Sequence, residues 1–194
     1  QGFSGAQIQN RGTLVGNVCT ASPAGDGIPC LIALDAEIEL TSRGGVRRVP
    51  ITQFVAGRRS VLCRDDEIVT ALLIPARDNA QSRFRKLGAR RYLVISIVMA
   101  SALIETASTG RIIHARIVVG ACSEVAQRLR SLEAAIAGEI LTPGVADLLQ
   151  DVHMQHLTPL DDMRASGLYR REAAKQLVRE LLIELSAPAA AEAA

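Results

Sequence analysis

Hydrophobic and polar residues alternate over short segments in the first half of this chain, a pattern typical of strands. Residues 36–40 read AEIEL, the alternation of a half-buried strand. The turn Arg43-Gly44-Gly45 then sends the chain back through residues 46–51, which predicts a β-hairpin. Three further elements are predicted around the hairpin: a helix over 23–34, a helical turn over 52–57 and a strand over 67–74.

The second half has longer apolar runs. Strands are predicted over residues 83–87, 93–105 and 112–120, which gives a three-stranded antiparallel sheet. Helices are expected to follow from Ser123 to Gly138, from Pro143 to Leu149 and after Ser166, because apolar residues recur there at helical spacing.

A polar segment, residues 76–82, separates the two halves and is the best candidate for a domain boundary. We therefore expect an α+β protein with units at residues 1–79 and 80–188. The alanine-rich residues 189–194 are expected to fray.

Composition narrows the range of functions. Aromatic residues make up 3% of the chain, so its core must be aliphatic, and the net charge of +2 predicts no basic surface for nucleic acid. The longest apolar run, residues 93–104, is shorter than the about 20 residues that a membrane-spanning helix needs. The expected location is cytoplasmic, without membrane insertion.

Cysteine and histidine spacing argues against a metal centre in this chain. The four cysteines, at positions 19, 30, 63 and 122, contain no close pair of the kind that binds zinc or iron–sulfur clusters. We expect them to be buried, reduced thiols. His153 and His156 could share a metal ion, but no cysteine or carboxylate stands at ligand spacing beside them.

A glycine-rich segment, residues 9–26, is the strongest functional signal. Gly12 and Gly16 stand beside Thr13 and Asn17, and glycines let backbone amides approach the oxygens of a phosphate. A surface turn before a helix would have the same composition, so the residues alone leave both interpretations open.

Several motifs then stand in a fixed order along the chain. Residues 8–17 read IQNRGTLVGN and residues 22–26 read SPAGD; further on are FRKLGARR at 84–91, LVISI at 93–97, and PLDDMRAS at 159–166 followed by YRR at 169–171. This series resembles the flavin-binding medium subunit of the molybdenum hydroxylases, the family that includes carbon monoxide dehydrogenase and xanthine dehydrogenase. The resemblance implies the C-terminal part of a PCMH-type FAD-binding domain, followed by a small domain like the C-terminal domain of the CO dehydrogenase flavoprotein.

The resemblance also implies a cofactor and partners. FAD would accept electrons from the [2Fe–2S] clusters of an iron–sulfur subunit, and a third subunit would carry the molybdopterin. The implied FAD-binding positions are, at the diphosphate, Thr13, Leu14, Val15, Gly16 and Asn17; at the polar chain, Asp26; and near the flavin, Val69 and Lys86. No catalytic residue or metal ligand is implied. Without the resemblance, Lys86 would be interpreted as a solvated lysine and Val69 as a core residue.

The chain departs from the family pattern at two places. Val15 replaces the first glycine of a Gly-Gly-Asn step. A β-branched residue is unfavourable at positive φ and would crowd an approaching phosphate, so we expect it to impair the phosphate loop. The family's preceding lobe, with a first glycine-rich loop, has no counterpart before Gln1, so a separate polypeptide could supply it. We expect weak FAD binding or none by this chain alone. The alternatives are a shortened paralogue that serves as a structural subunit, and a module for a smaller nucleotide.

Overall fold

The computed structural model describes residues 5–77, 79–91 and 94–187, and in these residues antiparallel sheets and α-helices build a mixed α+β fold. The predicted fold class is confirmed. In the first part of the chain the elements are α1 Ala6–Arg11, α2 Leu14–Thr20, α3 Gly27–Ala33, β1 Glu37–Ser42, β2 Gly45–Pro50, α4 Ile51–Phe54, β3 Val55–Gly57, β4 Ser60–Val61 and β5 Ile68–Leu73.

The predicted hairpin is confirmed as β1 and β2. Glu39 lies opposite Arg48, and Gly45 closes the turn at φ +131°, a conformation that favours glycine. Strand β5 pairs with the other edge of β1, so the sheet order is β2-β1-β5. Ile38 and Leu40 point to the buried face, as the alternation of apolar residues indicates.

The second part of the chain forms a four-stranded antiparallel sheet, in the order β6-β7-β8-β9. Its elements are β6 Ala80–Leu87, β7 Val98–Thr106, β8 Ile112–Gly120, β9 Gln127–Arg128, α5 Arg130–Ile136, two 3₁₀ turns at Pro143–Leu148 and Asp151–Met154, and α6 Gly167–Ser186. Helix α6 begins at the predicted serine, because the Ser166 Oγ accepts a hydrogen bond from the Tyr169 amide at 3.3 Å.

Strand β7 is covered on both faces, which explains its nearly continuous apolar sequence. Ala100, Ala102 and Ile104 belong to the core under α5 and α6. Leu103 and its neighbour Val118 on β8 belong instead to the core around α3. Helix α3 therefore joins the two parts of the fold.

Two predictions about the second half are wrong in detail. The strand predicted from residue 93 begins at Val98, because residues 94–97 leave the sheet and make other contacts. The helix predicted from Ser123 begins at Arg130, because Gln127 and Arg128 pair with Val119 and Val118 and add a fourth strand, β9, to the predicted three.

Two predictions about the first half also need correction. The helix predicted over 23–34 is limited to α3, and the turn predicted over 52–57 is α4 followed by β3. The polar segment 76–82 is not wholly a linker, because β6 begins inside it at Ala80.

The cysteines differ from the expected buried thiols. Cys122 is buried, and desolvation raises its pKa to about 11. Cys19 is exposed on α2, and Cys30 and Cys63 are partly buried; all four are free thiols. The predicted tail at 189–194 lies outside the described residues. Among the helices that the structure describes, none combines the length and apolar character needed to span a membrane.

Arg170 connects the C-terminal motif to the end of the second sheet. Its buried guanidinium donates to the backbone oxygens of Ile97 at 2.6 Å and Ala121 at 3.1 Å. It also donates to the Asp162 Oδ1 at 2.6 Å. Arg170 and Asp162 therefore have a structural role, because they hold the segment 159–171 against the end of the second sheet.

Arg170→Met is expected to lower the free energy of unfolding by about 3 kcal/mol, since it leaves two buried carbonyl oxygens without their donor. Urea unfolding monitored by circular dichroism would measure the change. The control is Arg164→Met, which removes an exposed ion pair to the same Asp162 and should cost at most about 0.5 kcal/mol. Equal losses of unfolding free energy in the two variants would contradict the structural role of Arg170.

Glu67 is the anchor of the loop before β5. Its carboxylate accepts hydrogen bonds from the Arg47 Nε at 2.6 Å, from the Arg47 Nη2 at 2.8 Å and from the Arg64 amide at 2.9 Å. The Arg47 hydrogen bonds, followed by the Arg64 amide, lower the pKa of Glu67 to about 2.

The lowered pKa of Glu67 predicts a pH-dependent contribution to stability. The contribution is fully present above the unfolded-state pKa of about 4.3 and is lost as the pH falls toward about 2. Glu67→Gln should therefore be less stable than wild type at neutral pH, and the difference should shrink over this range. Urea unfolding at successive pH values tests this, with Asp65→Asn in the same loop as the control. A difference that is constant with pH would refute the assignment.

Candidate functional site

The N-terminal end of α2 presents unpaired backbone donors. The Thr13 Oγ1 caps the helix by accepting from the Gly16 amide at 2.9 Å, and the Thr13 carbonyl accepts from the Asn17 amide at 3.0 Å. The amides of the first helical residues, Leu14 and Val15, have no acceptor within the helix. This end of α2 can therefore donate hydrogen bonds to an anion.

The helical conformation of α2 corrects the expectation that Val15 lies at positive φ. The segment that was expected to be a loop is a right-handed helix from Leu14 to Thr20, and Val15 does not have a positive φ. A β-branched side chain is compatible with this conformation at only a small cost in helix propensity. The replacement of glycine at this position therefore causes no backbone strain.

Asn17 ties α2 to the start of α3. Its Oδ1 accepts a hydrogen bond from the Gly27 amide at 3.2 Å. A groove of about 270 Å³ lies along this junction, lined by Ile8, Gln9, Gly12, Thr13, Leu14, Asn17 and Gly27. A Cβ at position 27 would come within 2.9 Å of both the Asn17 Oδ1 and the Leu14 Cδ1, so the ends of these two side chains would have to shift to admit it.

Asp26, the residue before Gly27, is held by two side chains from the second part of the chain. Its Oδ2 accepts from the Lys86 Nζ at 2.7 Å, and its Oδ1 accepts from the Ser96 Oγ at 2.6 Å. The side chains of Asp26 and Lys86 are mostly buried, at 13% and 16% exposed. Asp26 precedes α3 but makes no capping hydrogen bond with it, so its carboxylate is committed to these partners.

The structure places most of the predicted positions in two groups. Thr13, Leu14 and Asn17 line the groove; Val15 and Gly16 belong to the same helix, and Asp26 and Lys86 form one ion pair. Val69 is placed differently. It lies on β5 opposite Leu40 of β1 and packs, half-buried, against the core around α3. It is not among the groove-lining residues in the described part of the chain.

Ser96 is the residue that sequence reasoning missed. It is 2% exposed, and in the sequence it is a single hydroxyl inside the apolar run LVISIV. The run has the appearance of a buried strand, so only a buried polar residue without a strand partner could have signalled another role.

His153 and His156 make separate contacts with the backbone. The His153 Nδ1 accepts from the Gln150 amide at 3.0 Å, and the His156 Nε2 lies 3.1 Å from the Arg128 carbonyl oxygen. Within the described ranges, no group of three metal-ligating side chains is found.

The donor set of the groove fits the cofactor that the sequence motifs imply. Phosphate oxygens require N–H and O–H donors, which the first turn of α2 and Thr13 provide. The hydroxyl groups of a sugar-alcohol chain require acceptors, and a carboxylate has about four acceptor positions, of which Ser96 and Lys86 occupy two at Asp26. The residues are therefore chemically suited to a dinucleotide.

Comparison with known proteins gives two family matches. Residues 1–77 match the FAD binding domain in molybdopterin dehydrogenase, and residues 83–185 match the CO dehydrogenase flavoprotein C-terminal domain. Among curated relatives, the nicotinate dehydrogenase FAD-subunit of Eubacterium barkeri is 29% identical over 184 residues, which cover 92% of this chain and 62% of that protein.

Two solved structures share the fold. Quinoline 2-oxidoreductase from Pseudomonas putida 86 superposes with a TM-score of 0.87 at 24% identity, covering 95% of this chain and 64% of the other. Carbon monoxide dehydrogenase from Hydrogenophaga pseudoflava superposes with a TM-score of 0.84 at 24% identity, covering 94% of this chain and 63% of the other. At this level of identity the likeness establishes the fold.

The chain spans less than two thirds of the length of each of these relatives. The CO dehydrogenase flavoprotein match alone covers more than half of the chain, and the FAD-binding match precedes it. The chain belongs to the family of FAD-binding medium subunits of the molybdenum hydroxylases.

Proposed function

We propose that this chain is the flavin-binding part of a molybdenum hydroxylase, which passes electrons from the [2Fe–2S] clusters of a partner subunit through FAD to an acceptor. The observation that carries the proposal is the position of Asp26. Its carboxylate is anchored on both oxygens, by Lys86 and Ser96, and the next residue along the chain, Gly27, lines the groove.

The first turn of α2 would hold the cofactor's diphosphate. The amides of Leu14 and Val15 would donate to its oxygens, and the partial positive charge at a helix N-terminus would favour the anion. Gly16 and Asn17 would shape the same turn, since the one leaves room for the Thr13 cap and the other fixes the start of α3.

Asp26 would accept hydrogen bonds from hydroxyl groups of the cofactor's polar chain. Lys86 has a more limited electrostatic role than a free ammonium would have, because Asp26 neutralises it at 2.7 Å. The pair would act on a nearby ring mainly as a dipole. Val69 would contribute an apolar surface from β5.

When bound, FAD accepts electrons singly and releases them as a pair, which suits a position between clusters and a two-electron acceptor. We propose an iron–sulfur subunit and a molybdopterin subunit as the partners. A name such as nicotinate dehydrogenase FAD-subunit supports a multi-subunit assembly of this kind.

We further propose the division into units at residues 1–79 and 80–188. The two family matches, which end at residue 77 and begin at residue 83, support it.

The proposal is tested by titrating the purified protein with FAD and following flavin fluorescence. Saturable but weak binding is expected, in keeping with the expectation for this chain alone. The absence of saturable binding, together with co-purification of an iron–sulfur subunit, would instead favour the alternative of a structural subunit.

Gly27→Ala should weaken FAD binding about tenfold, or about 1.4 kcal/mol, because the added methyl group would push Asn17 and Leu14 apart at the groove. The same fluorescence titration gives the dissociation constant. Gly44→Ala is the matched control, since its Cβ would meet only the Ser42 Oγ at an ordinary 3.5 Å. An unchanged affinity for FAD in Gly27→Ala would show that the groove does not take part in binding the cofactor.

A further inference from the structure

Residues 94–97 lie outside the second sheet, just before β7. They bring one buried hydroxyl group, that of Ser96, into contact with the first part of the chain. The Ser96 Oγ donates to the Asp26 Oδ1 at 2.6 Å, across 70 positions of sequence. A buried serine in a segment outside the sheet needs a polar partner, and Asp26 is that partner.

The segment is fixed independently of Asp26. The Ile97 amide donates to the Leu87 carbonyl at 2.8 Å, and the buried Arg170 donates to the Ile97 carbonyl at 2.6 Å. Ser96 is therefore attached to the second sheet and to α6, and it serves as the rigid reference against which Asp26 is oriented.

Asp26 needs such a reference. The terminal torsion of an aspartate side chain is broad, so a carboxylate bound at a single oxygen can rotate. Of the two Asp26 oxygens Lys86 reaches only the Oδ2, through a flexible four-carbon side chain whose Nζ also donates to the Val94 carbonyl oxygen at 3.5 Å. The Ser96 hydroxyl holds the second oxygen and removes this freedom.

We propose that Ser96 is a positioning residue of the cofactor site. It fixes the Asp26 carboxylate, and through it the Lys86 ammonium, in one orientation before a ligand arrives. The part of this inference that concerns the cofactor rests on the proposed flavin function. The part that concerns Asp26 and Lys86 does not.

A measurement without cofactor is possible because the sequence has only two lysines, Lys86 and Lys175. Labelling of the intact protein with an amine-reactive reagent, read by peptide mass spectrometry, gives the ratio of their rates. Lys175 lies on α6, pairs with Asp151 and is 28% exposed, so it serves as the internal reference.

Ser96→Ala should raise the Lys86/Lys175 labelling ratio on the order of fivefold to tenfold, since the Lys86–Asp26 pair loses its fixed geometry. Asp26→Asn gives the ratio for a lysine without its ion-pair partner. Ser101→Ala removes another buried serine hydroxyl, on β7, and should leave the ratio unchanged. An unchanged ratio in Ser96→Ala, with a raised ratio in Asp26→Asn, would overturn the inference.

A double-mutant cycle on FAD affinity tests the link to the cofactor. If Ser96 acts through Asp26, Ser96→Ala should weaken binding about tenfold alone and hardly at all in an Asp26→Asn background. Fully additive effects would show that Ser96 is merely structural and would overturn the inference. If the wild-type protein binds no FAD, the proposed function fails, and the labelling ratio still decides whether Ser96 positions the pair.

Discussion

Two carboxylates at the ends of helix α3 hold the two parts of this fold together. Asp26, just before the helix, binds Lys86 and Ser96. Asp35, just after it, is surrounded by arginines, with ion pairs to Arg77 at 2.7 Å, to Arg116 at 2.5 Å and to Arg128 at 3.5 Å. Most of these partners belong to the second sheet, so the helix is clamped by charge at both ends.

The position of the candidate site follows from this arrangement. Helix α3 is largely apolar and packs against β7 and β8, but apolar contacts alone leave its axial position weakly specified. Ion pairs and charge-assisted hydrogen bonds are directional and set that position. Because Gly27 and Asn17 connect α3 to α2, the amides at the start of α2 are placed by the same contacts. The site is therefore built from both parts of the chain, although most of its residues come from the first.

Local pattern predicted the strands and the last helix well, since alternation and capping are short-range signals. The hairpin at Gly45, strand β8 and the cap at Ser166 were recoverable because a few neighbouring residues determine them. The two-residue strand β9 was not recoverable. Its residues pair with the free edge of β8, although the apolar spacing of the local sequence favours a helix.

The candidate site was predicted in part, for a comparable reason. Motif resemblance identified Asp26 and Lys86 separately, but their contact with each other depends on tertiary structure. Ser96 carries no local signal, because a lone serine in an apolar run is compatible with an ordinary strand. For Val15 the expected backbone strain is absent, because the residue type was judged against a loop conformation that the chain does not adopt.

The close contact at Gly120 has a consequence for the order in which the chain acquires structure during synthesis. A Cβ there would meet the Met99 Cε and the Pro29 Cγ, each at 2.7 Å, so α3 lies directly on the end of β8. When the ribosome has reached residue 80, the two strands that will cover this face of α3, β7 and β8, have not yet been made. Segments made early usually fold as they emerge, but the core around α3 is completed only by a hairpin made later. The nascent chain therefore passes through an interval in which the core around α3 is accessible to chaperones.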